Sequence, residues 1–157
     1  MKKNVNKIMK SNDLKFGKNN EVVVQGILER HFGEQVNKYR NKFSTFDYYI
    51  ENKKKKITDI IELKSRRANI GDYDTQLIGL NKINKGIEQM KKGIKIWLCF
   101  HLNDGTYIYN LHKDHKFKTC MLGNFARNDK ADELCLIPNS YLTKINFPNE
   151  PIVVNFD

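Results

Sequence analysis

Cysteine is scarce in this chain. Cys99, Cys120 and Cys135 are the only three, an odd number with no CxxC spacing. That excludes a disulfide scaffold and predicts a reduced protein of an intracellular compartment, cytoplasm or nucleus. No apolar run approaches the roughly 20 residues that a membrane helix needs, so no membrane partner is expected. The opening MKKNVNKIMKSNDLK lacks an apolar h-region and reads as a basic arm rather than a secretory signal. Proline occurs three times, and no Pro/Gly-rich linker or internal repeat divides the chain. Acidic residues are the minority, 18 against 28 basic, for a net charge of +10. Such an excess favours a polyanionic partner, of which nucleic acid is the commonest. The plain alternative is that lysine and asparagine are simply abundant throughout the chain.

What is present suits one compact domain: 157 residues, 39% of them hydrophobic. The arm is expected over 1–15, and a single domain over 16–157 with its core at about 18–110. The pattern of GKNNEVVVQGILERHFGE predicts a helix from about 19 to 33. Asn19 or Asn20 can cap it, Glu21 lies in its first turn, and Val22, Val23, Ile27 and Phe32 form its apolar face. QVNKYR, STFDYYIE and KITDIIELKSR read as strands, with the charged ENKKKK as a turn. GDYDTQLIGLNKINKGIEQMKKG predicts a helix capped by Asp74 or Thr75. Its buried stripe would be Leu77, Ile78, Ile83, Ile87 and Met90, and Gly93 would end it. IKIWLCFHL and NDGTYIYNL form a hairpin around Asp-Gly. Beyond residue 111 the pattern is irregular, with LCLIP and SYLTKINF as short strands or a helical turn. The fold class is therefore α/β, a mixed sheet with helices on its faces.

The segment ITDIIELK (57–64) concentrates the chemistry. Alternation puts Glu62 and Lys64 on one face with Thr58 and Ile60, and Ile57, Ile61 and Leu63 on the other, toward a core. If 44–51 and 56–64 form a hairpin that turns between Lys54 and Lys55, position i faces position 109 − i. Asp47 then lies opposite Glu62, with β-carbons about 4.5–5.5 Å apart. Two carboxylates that close repel, so a cation belongs between them, and Mg²⁺ takes such oxygen ligands. Lys64, one pleat on, can serve the same cluster. A carboxylate-held metal polarises a phosphodiester and activates water, and a lysine beside it can orient that water or steady charge on phosphorus. Glu21 could complete the shell or assist a second metal. A solvated cross-strand ion-pair set is the alternative reading of Asp47, Glu62 and Lys64. Asp59 has no explanation at this level.

At these residues the chain resembles the PD-(D/E)xK nuclease superfamily. The likeness consists of a helix bearing Glu21, a strand bearing Asp47, a strand ending IIELK with Glu62 and Lys64, and then a helix and a strand. It covers residues 18 to 110. Phe46 departs from the proline of the motif's name. The resemblance implies a restriction-endonuclease-like fold and a metal-dependent nuclease. Asp47, Glu62 and the Leu63 carbonyl would hold Mg²⁺, for which Mn²⁺ would substitute, and Lys64 would be catalytic with Glu62, Asp47 and Glu21. Some members use a Gln, Lys or Tyr downstream, which makes Gln76 and Lys82 candidates. Size and charge are similar to those of Holliday-junction resolvases and small restriction or homing endonucleases. A resolvase-like protein would be a symmetric homodimer.

DNA, including branched or junction DNA, is the favoured substrate. RNA cleavage ranks below it, because viral RNA endonucleases with this core place a histidine early on a helix, and His31 falls ten residues after Glu21. A non-catalytic nucleic-acid-binding module on the same fold is the third reading. Arg66 and Arg67 in KSRR, with Gln76 and Lys82, are candidate nucleic-acid contacts. His112, His115, Cys120 and Cys135 are the right chemistry for zinc but lack a zinc-site spacing.

Overall fold

The computed structural model describes residues 21–41, 44–122 and 132–146. Two compact units are present, one ending at Val36 and one beginning at Asn37. In the first, residues 21–32 form helix α1. Val24, Ile27 and Leu28 are buried, while Val22 and Val23 are 73% and 40% exposed. The expected apolar face is corrected accordingly. Three consecutive valines spread over more than half the helix circumference, and only Val24 has the i, i+3, i+4 relation to Ile27 and Leu28. Gly33 ends the helix in the left-handed conformation at φ 66°, its N–H donating to Glu29 O at 2.8 Å. Gln25 Nε2 donates to Val36 O at 2.7 Å. The basic arm and the Asn19 or Asn20 cap lie outside the described residues.

The second unit is built on a six-stranded mixed sheet in the order β1-β2-β3-β5-β6-β9 and a three-stranded sheet in the order β4-β8-β7. In chain order these are β1 Asn37–Lys38, β2 Tyr48–Glu51, β3 Ile57–Ser65, β4 Thr75–Gly79, helix α2 Leu80–Met90, β5 Lys95–Leu102, β6 Gly105–Asn110, β7 Lys118–Leu122, β8 Asp132–Pro138 and β9 Thr143–Asn146. The fold is α/β and restriction-endonuclease-like. Among the described strands only β3 and β5 pair in parallel, an arrangement that needs a crossover, here β4 and α2. β5 and β6 form the hairpin expected at Asp104-Gly105.

Residues 75–79 are a strand and not the first turns of a helix, which corrects the reading of GDYDTQLIG. Helical periodicity put Leu77 and Ile78 on one stripe, but β4 pairs antiparallel with β8, nearly 60 residues later in the chain. That partner overrides local propensity. From residue 80 the helical reading holds: Ile83 is buried, and Ile87 and Met90 pack against the core. A β-carbon on Gly86 would stand 3.2 Å from Ile96 Cγ2 and 3.3 Å from Leu111 Cδ2, so glycine lets α2 lie close on the sheet.

The face shared by Ile60, Glu62 and Lys64 is also a core face. Ile60 joins Ile78, Ile83, Ile96, Leu98 and Phe100 in the main cluster, and Ile61 on the opposite face is fully buried too. Ile57 was expected beside Ile61 but packs against the Ile60 cluster. The register shift explains this: Ile50 pairs with Asp59 but Glu51 with Ile57, so Thr58 is an extra residue that reverses the alternation. Its Oγ1 donates to Ile50 O at 3.3 Å. The turn beyond is tied by Asn52, whose Oδ1 accepts the N–H groups of Lys54 and Lys56, with Lys55 at φ 59°.

Asp59 now has a partner: Trp97 Nε1 donates to its Oδ2 at 2.8 Å across the parallel ladder. Replacing Asp59 by Ala should destabilise the protein by about 1–3 kcal/mol, the usual cost of stranding a part-buried donor. Trp97 is the single tryptophan, so urea unfolding followed by its fluorescence measures this directly. An unchanged midpoint would show the bond to be dispensable.

Candidate active site

The expected pairing of i with 109 − i holds for Tyr48 with Ile61, Tyr49 with Ile60 and Ile50 with Asp59. Asp47 stands one residue past the last pair. Its N–H donates to Ile61 O at 3.2 Å, its carbonyl accepts from Tyr39 N–H at 3.0 Å, and its Oδ2 accepts from Leu63 N–H at 2.7 Å. The side chain thus takes the place of the strand partner that β3 lacks beyond Ile61. In an extended strand the N–H and C=O of one residue project to the same edge. The Leu63 carbonyl is therefore directed to the edge where the Asp47 carboxylate lies.

Glu62 is 3% exposed and has a lysine on each oxygen. Lys64 Nζ is 3.6 Å from Oε1 and Lys82 Nζ is 3.5 Å from Oε2. Lys82 belongs to the first turn of α2, donates to the Thr45 carbonyl, and lies over the Phe46 ring at 5.8 Å. Phe46, the departure from proline, is itself buried in the core cluster. It therefore anchors the segment that delivers Asp47 and floors the approach of Lys82. Burial, and next the negative charge of Asp47, push the Glu62 carboxyl up to about 7; Lys82 and then Lys64 oppose the rise without cancelling it.

This arrangement fits a hard divalent cation. Asp47 and Glu62 are two carboxylates close enough for the charge of one to raise the pKa of the other, and both lysines stand beyond the usual 2.7–3.2 Å or so of a good N–H···O bond. Lys82 Nζ donates a long hydrogen bond to Glu62 Oε2 at 3.5 Å, and a cation at the carboxylate oxygens would compensate the buried charge further. Among the described residues no group of three or more His, Cys, Asp or Glu is placed to hold a metal. Two carboxylates and a carbonyl suffice for Mg²⁺, which keeps several waters and takes substrate phosphate as a ligand.

The other sequence candidates fall on several elements. Gln76, expected in a first helical turn, is buried on β4, where its Oε1 accepts from Arg66 Nη1 at 3.4 Å and its Nε2 donates to Asn139 Oδ1 at 3.3 Å. Arg66 also donates to the Leu77 carbonyl and lies over Phe100 at 5.8 Å; burial lowers its pKa. Arg67 is exposed. Glu21 is on α1, in the unit that ends at Val36. His112 and His115 rings are 4.9 Å apart, and His115 stacks on Tyr141 at 4.7 Å. Cys135 is buried in the core and Cys120 lies partly exposed on β7.

Asn139 escaped notice in the sequence. Its Nδ2 donates to the carbonyls of Ile70 and Tyr73, at 2.9 and 2.5 Å, and its N–H to Asp74 O at 3.0 Å, fixing the loop that leads into β4. No local pattern marks it, because its partners lie more than 60 residues earlier.

A family model described as "Phage putative PDDEXK endonuclease" matches residues 12–145. PDDEXK nucleases generally use divalent metal ions. Neither curated proteins nor solved structures return a significant match.

The raised Glu62 pKa has a stability consequence in metal-free protein. An unfolded glutamate near 4.5 and a folded one near 7 mean that the folded state binds the proton more tightly. Stability is therefore greatest below about 4.5 and falls as pH rises through 7, by about 3 kcal/mol at 1.36 kcal/mol per unit. Urea unfolding in EDTA at pH 5 and pH 8 should show this loss for wild type and not for Glu62→Gln. The same pH dependence in both proteins would assign the titration elsewhere.

Proposed function

The chain belongs to the phage PDDEXK endonuclease family, and on that footing we propose that it is a Mg²⁺-dependent endodeoxyribonuclease. The observation that carries the reading is the Asp47 charge felt at the buried Glu62 carboxyl, with Lys64 against Glu62 and the Leu63 N–H on Asp47. Asp47, Glu62 and the Leu63 carbonyl would hold the metal, with Mn²⁺ able to replace Mg²⁺. When bound, the ion supplies Lewis-acid charge to the scissile phosphodiester and lowers the pKa of a nearby water.

The protein's own groups do the rest. Leu63 N–H keeps the Asp47 carboxylate in one rotamer. Lys82, braced by the Thr45 carbonyl, holds Glu62 from the helix side. Lys64 is 38% exposed, so its ammonium is available to solvent and substrate. There it orients the attacking water and offsets charge as it grows on the phosphoryl oxygens. The net charge of +10 draws the DNA backbone to the surface and makes binding salt-dependent. A reducing intracellular compartment suits the three free cysteines.

Nicking of plasmid DNA in Mg²⁺ should be abolished by EDTA and reduced at least about 100-fold by Asp47→Asn or Lys64→Ala, a loss typical of removing one transition-state contact. Cleavage by either variant at the wild-type rate, or cleavage that survives EDTA, would refute the assignment. Lys82→Ala should lower the rate less, with its pH profile displaced upward because Glu62 loses a compensating cation. A profile that stays in place would show Lys82 to be a helix anchor only.

A further inference from the structure

Beside Lys64 the molecule opens into a cleft of about 600 Å³, within the range of about 300–1,000 Å³ that small ligands occupy. Its floor is the outer face of the three-stranded sheet. Leu77 is opposite Leu136, Gly79 is opposite Leu134, and Leu134 is in turn opposite Cys120, so these residues form one apolar surface. Tyr73, 67% exposed, stands at the wall. Arg66 also lines the cleft. Its partners among the described residues are the Leu77 carbonyl, the Gln76 amide oxygen and the Phe100 ring, and no carboxylate. A half-buried cation so surrounded keeps its positive charge without an anionic partner at the edge of an apolar space.

An apolar floor, an aromatic wall and a cation at the base are the features that bind a nucleotide: base on floor and ring, phosphate on guanidinium. In a perfect duplex the bases are stacked inside the helix and cannot enter such a cleft. We propose that the cleft receives one unpaired nucleotide of the DNA strand whose scissile phosphate lies at Lys64, so that the preferred substrate carries a flap, bulge or single-stranded segment next to the cut. This rests on the nuclease reading, which says where the phosphate lies. The cleft itself makes the choice between paired and unpaired DNA.

Cys120 provides a probe independent of cleavage. It lines the cleft and is partly exposed, whereas Cys99 and Cys135 are buried. The experiment uses the full chain carrying Asp47→Asn in Mg²⁺, with a perfectly paired DNA duplex and the same duplex bearing one unpaired thymidine. Binding to the second should be about tenfold tighter, as expected from about 1–3 kcal/mol per stacked base. It should also slow iodoacetamide alkylation of Cys120. Tyr73→Ala, an exposed change that leaves the fold intact, should erase most of the preference, and Leu136→Trp should erase it by filling the cleft. Equal affinity for the two DNAs, or unprotected Cys120 at saturating DNA, would overturn the proposal. Protection without any cleavage by wild type would sink the nuclease reading, and with it the placement beside a cut, while the cleft's preference for an unpaired nucleotide would stand. Cleavage that depends on Asp47 without protection would do the reverse.

Discussion

Where the ladder between β2 and β3 stops, hydrogen bonding passes from backbone to side chain. Asp47 lies past the last backbone pair, and its carboxylate accepts the Leu63 N–H that a longer strand would have taken. One bond therefore closes the sheet edge, orients the carboxylate, and leaves the Leu63 carbonyl on the same edge. The site's geometry follows from this substitution. Because β3 also pairs with β5 through residue 65, Glu62 and Lys64 are held on a strand that is rigid on its other side. Phe46 secures the incoming segment in the core immediately before Asp47.

The electrostatics depend on burial more than on the number of charges. On a solvated sheet face, Asp47, Glu62, Lys64 and Lys82 would be an ordinary ion-pair set of small worth. Here Glu62 lies on the face that also carries Ile60, Leu98 and Phe100, and the desolvation that raises its pKa outweighs both lysines. A buried carboxylate in that condition attracts either a proton or a cation. The crossover that permits parallel pairing supplies Lys82 from its helix and Gln76 from its strand. The topology that builds the sheet thus also brings Lys82 to Glu62 and Gln76 to Arg66.

The smaller sheet extends this logic outward. Asn139 ties the loop 70–74 to the end of β8, and Gln76 links Asn139 to Arg66. A chain of amides thereby runs from the loop to the guanidinium at the cleft, two residues beyond the Lys64 that faces the chemistry. The apolar outer face of that sheet and the polar cluster on β3 meet at Lys64. Substrate selection and bond cleavage would share that boundary.

Local pattern alone determined a good deal: the β2–β3 pairing, the hairpin at Asp104-Gly105, and α2 from Leu80 on. Each depends on neighbours within about twenty residues, where alternation and turn chemistry act directly. What escaped has a non-local cause. Residues 75–79 became a strand because β8 arrives from far along the chain to pair with it. Asp59 was opaque until β5 brought Trp97 beside it. The buried face of α1 ran through Val24 and not its neighbours, because a run of valines carries no phase of its own. Lys82 was recognisable as a candidate cation, but its contact with Glu62 required the crossover to fold back onto β3. The sequence by itself determined which residues could do the chemistry. Only the tertiary structure decided that Glu62 is desolvated and that Lys64 borders an apolar cleft, since burial is a property of distant segments packed together and not of the strand that carries the charge.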